Sequence, residues 1–148
     1  MIDRKGFTVI ELMAVVAIVS ILAVVALAAY SDYAVRNNVA EAMGFAAAAQ
    51  TKVSEYYYNN KDMPLNNSEA GLPAPAEYDK YEYIRRLELS TGDPYGIITI
   101  TFKLPGTKAD HKSLQLTPTT TDGVIYWRCS PPIYNGIDIN QVPPNCRG

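Results

Sequence analysis

The stretch Gly6-Phe7-Thr8-Val9-Ile10-Glu11 opens an apolar run that continues to Ala29 and carries a carboxylate near its start. Across those 23 residues, Phe7 to Ala29, the only polar side chains are Thr8, Glu11 and Ser20. As a helix rising ~1.5 Å per residue, the run is long enough to cross a hydrocarbon core. A charge inside such a segment costs on the order of 2.5–3.5 kcal/mol on insertion scales. Glu11 therefore needs a cationic partner, and the segment's own side chains supply none. The nearest candidate is the free amine that cleavage after Gly6 would leave on Phe7.

Residues Gly6 through Tyr33 resemble the N-terminus of bacterial type IV pilins and the related pseudopilins. In that family a short basic leader ends in Gly and is removed by a prepilin peptidase on its cytoplasmic side. The exposed Phe is then N-methylated, and a Glu at the fifth mature position is needed for assembly. The resemblance implies cleavage between Gly6 and Phe7, methylation of Phe7, and assembly roles for Glu11 and its neighbour Thr8. It also implies residues 1–6 as leader, 7–59 as one long helix with 7–29 as membrane span and filament core, and 60–148 as a globular head. The chain has Ser20 and Ala28 where the family often has Gly and Pro.

Charge gives the orientation. Arg4 and Lys5 precede the apolar run, and the first basic residue after it is Arg36. The excess of positive charge on the N-terminal side leaves that end in the cytoplasm and the remainder outside. Two other readings of the same segment compete: a plain signal anchor, and a secretory signal peptide cut near Ala26-Leu27-Ala28. A secretory apolar region normally spans only about 7–15 residues, and neither alternative accounts for Glu11 or for the phase of Gly6-Phe7. The chain carries a formal charge of −2, which offers no support for an obligate polyanion partner.

Beyond the apolar run, Val35, Val39, Ala42, Ala46, Ala49, Val53 and Tyr56 recur at alternating intervals of four and three. That is an amphipathic stripe at helical period, so the helix continues past the membrane boundary until Asn59-Asn60 and Pro64 stop it. A long irregular connection rich in Pro, Gly and Asn follows, the αβ-loop of the resembled family. It contains Asn66-Asn67-Ser68, a triplet of the glycosylation type that also arises often by chance. Strand signals then appear at 83–89, 97–103, 113–117 and 124–129, the last after the turn pair Asp122-Gly123. In the first, alternation places Tyr83, Arg85, Leu87 and Leu89 on one face and Ile84, Arg86 and Glu88 on the other. Short connections favour an antiparallel meander with one face over the helical stripe, an α+β architecture.

Cys129 and Cys146 are the only cysteines, and they lack the paired clusters of a zinc site. In an exported head a disulfide is the natural reading and two unlinked thiols the alternative; the link would stabilise the head by roughly 3 kcal/mol. The resemblance adds to this, because Trp127-Arg128-Cys129 and Cys146 stand where pilin heads pair a Trp-x-Cys with a C-terminal Cys.

Catalysis finds no support. His111 is the single histidine, sits in a polar turn-like run, and has neither a nucleophile nor a second base in evidence. Neither a phosphate-cradling loop, a metal set nor a cofactor motif occurs. The eleven tyrosines, with Lys103, Lys108 and Lys112, could form a stacking surface for DNA or a host receptor, or simply pack amphipathically. The resemblance implies a homopolymeric surface filament serving adhesion, twitching motility or DNA uptake. Its partners would be the inner membrane, the prepilin peptidase and the assembly machinery. A type II secretion pseudopilin and a monomeric membrane-anchored binding module are the alternatives; the former typically carries a calcium loop and no C-terminal disulfide.

Overall fold

The computed structural model describes residues 6–91 and 94–147. Arg4 and Lys5, on which the orientation rests, lie outside the described residues. The chain begins with one unbroken helix, α1 (Val9–Asn60), about 78 Å long at ~1.5 Å per residue. No proline interrupts it, and Ser20 turns its hydroxyl back to donate to the Val16 carbonyl at 2.7 Å. The stop comes one residue later than the sequence suggests. Lys61 takes the left-handed conformation (φ 61°), and its N–H donates to the Tyr57 carbonyl at 2.7 Å.

The helical stripe is buried where its period predicts: Val35, Val39, Ala42, Ala46, Ala49 and Val53 are all buried, with Tyr56 half-buried. The three alanines let a sheet approach the helix axis closely. That sheet is a four-stranded antiparallel meander in chain order: β1 (Ile84–Leu89), β2 (Ile98–Phe102), β3 (Ser113–Thr121) and β4 (Val124–Ser130). Its inner face supplies Ile84, Leu87, Leu89, Ile98, Ile100, Phe102, Leu114 and Leu116 to the core. Asp122 and Gly123, at φ 52° and 78°, make the tight β3–β4 turn whose left-handed backbone suits this pair.

Two strand expectations are corrected. The phase of β1 shifts at a bulge between Ile84 and Arg86, so Arg85 and Arg86 both point outward and Ile84 joins Leu87 and Leu89 in the core. An extra residue in one strand reverses the alternation on either side of it. Strand β3 also runs on to Thr121, through Pro118, rather than ending at Thr117. Beyond Leu116 it is paired only with β4, so the missing proline N–H removes no bond to β2.

The αβ-loop is ordered by one side chain. Asn67, 5% exposed, donates through Nδ2 to the carbonyls of Pro73 (2.8 Å) and Leu87 (2.9 Å), and its Oδ1 accepts the Leu89 N–H at 2.8 Å. Its amide thus stands in for a fifth strand on the outer edge of β1. The loop then coils into a short 3-10 turn, Pro75–Lys80, that seats Tyr78 against the helix. Tyr78 meets Phe45 edge-on at a 6.5 Å centroid distance, and burial raises its phenol pKa above the ordinary value. Asn67→Ala leaves a buried donor and acceptor of β1 without partners, so the head should lose about 2 kcal/mol. Denaturant unfolding of the variant against the parent measures it.

The C-terminal segment folds back across β4. Cys146, fully buried, is disulfide-bonded to Cys129 with their Cα atoms 4.5 Å apart. Gly136 bridges to Ser113, and Gln141 reaches the helix, donating to Asp32 Oδ1 at 3.3 Å.

Candidate assembly site at the helix terminus

The first turn of α1 is closed by Thr8 and Glu11. Thr8 has extended backbone (φ −80°, ψ 153°), and its Oγ1 accepts the Glu11 N–H at 3.3 Å. Reciprocally, Glu11 Oε2 accepts the Thr8 N–H at 2.9 Å and the Thr8 hydroxyl at 2.6 Å. This is a capping box, which satisfies two of the donors that every helix leaves orphaned at its start. Its signature, Thr-x-x-Glu ahead of an apolar run, stands in the sequence, but a reading by charge alone overlooks it. It changes the account of Glu11, which has partners inside its own segment after all. They are dipoles, however, and the net charge stays uncompensated.

The atoms of the box all belong to residues C-terminal to the Gly6–Phe7 bond, so cutting that bond leaves them in place. Oε2 carries both accepted bonds, while Oε1 accepts none among the described residues. The carboxylate is thereby fixed in direction with one oxygen available to an incoming amine.

From Phe7 to Tyr33 every residue is exposed, Phe7 by 78% and Ile10 by 75%. The head reaches this half of the helix only at its end, where Gln141 donates to Asp32. A continuous bare apolar surface of this length is far larger than a soluble monomer tolerates. Lipid or further copies of the helix must cover it.

The other residues singled out in the sequence are dispersed. Lys103 pairs with Asp79 at 3.3 Å, Lys112 donates to Asn135 Oδ1 at 3.3 Å, and Lys108 lies on the underside of the head. Of the tyrosines, Tyr57 and Tyr58 contact each other and Tyr81 lies on Phe45, while the Lys103 N–H donates to the Tyr83 carbonyl. His111 is exposed in the β2–β3 turn at φ 59°, its Nε2 3.4 Å from Asp110. Among the described residues no three His, Cys, Asp or Glu side chains gather as a metal site requires.

A chain that can bury its longest element only by sharing it is built as a polymerising, membrane-anchored protein. Comparison with known families agrees. The family described as pilin, a bacterial filament protein, matches residues 35–147, and the prokaryotic N-terminal methylation motif matches residues 1–27. The chain belongs to the pilin family. It is 38% identical to the fimbrial protein EcpC of Eikenella corrodens, over 97% of this chain and 91% of that one. It is 36% identical to the type IV major pilin protein PilE1 of Neisseria gonorrhoeae, over 97% and 94% of the two chains. A fimbrial protein of Neisseria meningitidis serogroup A is 39% identical over the same shares. Relatives of this kind, matched over nearly their full length, do not favour the secretion pseudopilin reading.

Proposed function

We infer that this chain is the structural subunit of a type IV pilus and not an enzyme. It waits in the inner membrane as a single-pass precursor with a cytoplasmic N-terminus. Prepilin peptidase cleaves it between Gly6 and Phe7, and Phe7 is then N-methylated. Assembly machinery stacks the apolar halves of α1 into a filament core, where Glu11 of one subunit pairs with the Phe7 amine of a neighbour. The head forms the outer surface, and retraction by other machinery lets such fibres serve adhesion, twitching motility or DNA uptake. The observation that carries this reading is the bare half-helix tipped by a carboxylate already aimed and half-satisfied by Thr8.

N-terminal mass spectrometry of fibres sheared from cells tests it. The expected first residue is Phe7 bearing one methyl group. A start at Met1 in assembled fibres would overturn the processing step, and a start at Ala29 or Tyr30 would instead indicate a cleaved secretory signal. Deleting the gene should remove surface fibres in electron micrographs; loss of exoprotein export with fibres intact would point to a pseudopilin.

A further inference from the structure

The peptide bond between Gly6 and Phe7 stands just ahead of α1. Both residues are exposed and non-helical, and a Cβ added at Gly6 would meet no described atom within 4 Å. The first helical hydrogen bond runs from the Leu12 N–H to the Thr8 carbonyl at 3.2 Å. Among the described residues nothing donates to the carbonyls of Gly6 or Phe7. A helix continued one turn further would occupy both, with the Ile10 N–H on Gly6 and the Glu11 N–H on Phe7.

The sequence ahead of Thr8 does not forbid that turn. No proline lies between Met1 and Phe7, and Asp3, a residue of the capping type, precedes Gly6 by three positions. A helix capped there would carry the Gly6–Phe7 bond within its first turns, and one glycine weakens a helix without breaking it. What stops the helix is Thr8. Its hydroxyl accepts the Glu11 N–H at 3.3 Å, the donor that Phe7 would otherwise receive. Its own N–H, which a longer helix would send back to Arg4, donates to Glu11 Oε2 at 2.9 Å. Both hydrogen bonds that would draw Phe7 into the helix are engaged elsewhere, and the Thr8 backbone stays extended.

We propose that Thr8 is a positioning residue for leader removal: by starting α1 at Val9, it holds the Gly6–Phe7 peptide open to a peptidase. In the hydrolysis, water oxygen bonds to the Gly6 carbonyl carbon and the C–N bond breaks. Gly6 leaves with the new carboxylate, and the Phe7 nitrogen takes a proton to become the free amine. A carbonyl free of the helix can be polarised and attacked; one bonded and enclosed within it must first be unwound. The peptidase therefore acts on the fraction of precursor that is open at this point. A shift toward helix raises KM and leaves kcat unchanged, because only the competent fraction binds. This role rests on cleavage between Gly6 and Phe7.

Full-length precursor and its Thr8→Ala and Thr8→Ser variants, each treated with prepilin peptidase in detergent micelles, test it. KM for Thr8→Ala should rise about fivefold with kcat unchanged, the factor by which a lost N-cap shifts the two conformations. Carbon-13 chemical shifts of Gly6 and Phe7 in the same micelles should move to helical values. Thr8→Ser restores the hydroxyl and should return both readouts to those of the parent. A parent-like KM for Thr8→Ala would overturn the positioning role. A change in rate with no helical shift would also overturn it, since the peptidase would then be reading the Thr8 side chain directly. A parent precursor left uncut, or cut at another bond, would instead overturn the processing reading itself.

Discussion

Cells producing the Glu11→Gln or Glu11→Ala chain should make no surface fibres while keeping normal amounts of chain in the membrane. The capping box separates two roles that one residue combines. Glutamine retains an acceptor for the Thr8 N–H, so the helix start is largely preserved, while the charge is lost. Alanine loses both, at an added cost to the helix start of about 1 kcal/mol. Inside a filament the pair formed by Glu11 and a neighbouring Phe7 amine would sit in apolar surroundings, where deleting one member costs roughly 3–5 kcal/mol and leaves an uncompensated charge. Every subunit repeats that loss, so the fibre fails even though the monomer tolerates the change. Thr8→Ala is the complementary control: the charge stays, the cap is lost, and fibres should persist in smaller number. Electron microscopy of sheared material and immunoblots of membrane fractions provide the readout. Normal fibres from the glutamine variant would sink the pairing.

The second large effect is expected at the C-terminus. Replacing Cys129 and Cys146 together by Ser should lower the unfolding free energy of the head by about 3 kcal/mol, as loop closure over this separation implies. The dependence arises because the disulfide ties the chain's last turn to a strand that is itself only partly buried. Strand β4 contributes no fully buried residue, and the chain beyond it is a proline-rich segment with two short 3-10 turns. The anchors of that segment include buried Ile137 and Val142, the Asn135 and Gly136 contacts with the start of β3, the Gln141 bond to Asp32 and the disulfide itself. Thermal unfolding of oxidised parent, reduced parent and variant gives the comparison, with the last two expected to coincide. A variant as stable as the oxidised parent would show that side-chain packing suffices.

Much of this fold is readable from the residues because its signals are local and periodic. The α1 stripe is built of valines and alanines at helical spacing, and the Asp122-Gly123 pair dictates its own turn. The misreadings come from features settled elsewhere in the chain. Nothing near Arg85 announces that β1 gains a residue there, since the bulge is a matter of registry with β2. Pro118 looks like a strand end until the neighbouring β2 is seen to stop short of it. Asn67 is one polar residue among many in its loop, and its value depends on carbonyl and amide groups some 20 residues further along. At the helix terminus the reverse holds: the Thr8–Glu11 pair is short-range and legible, but a count of charges takes no notice of hydrogen-bond donors.

The amide of Asn67 has one more effect. An uncovered lateral strand is a template on which another chain can zip by backbone pairing, and such growth is hard to undo. With that margin of the sheet already taken, neighbouring heads can lie flank to flank without merging into a shared ribbon. In the filament proposed above, cohesion would then come from greasy rods lying side by side, with no backbone zipper to lock one subunit to the next.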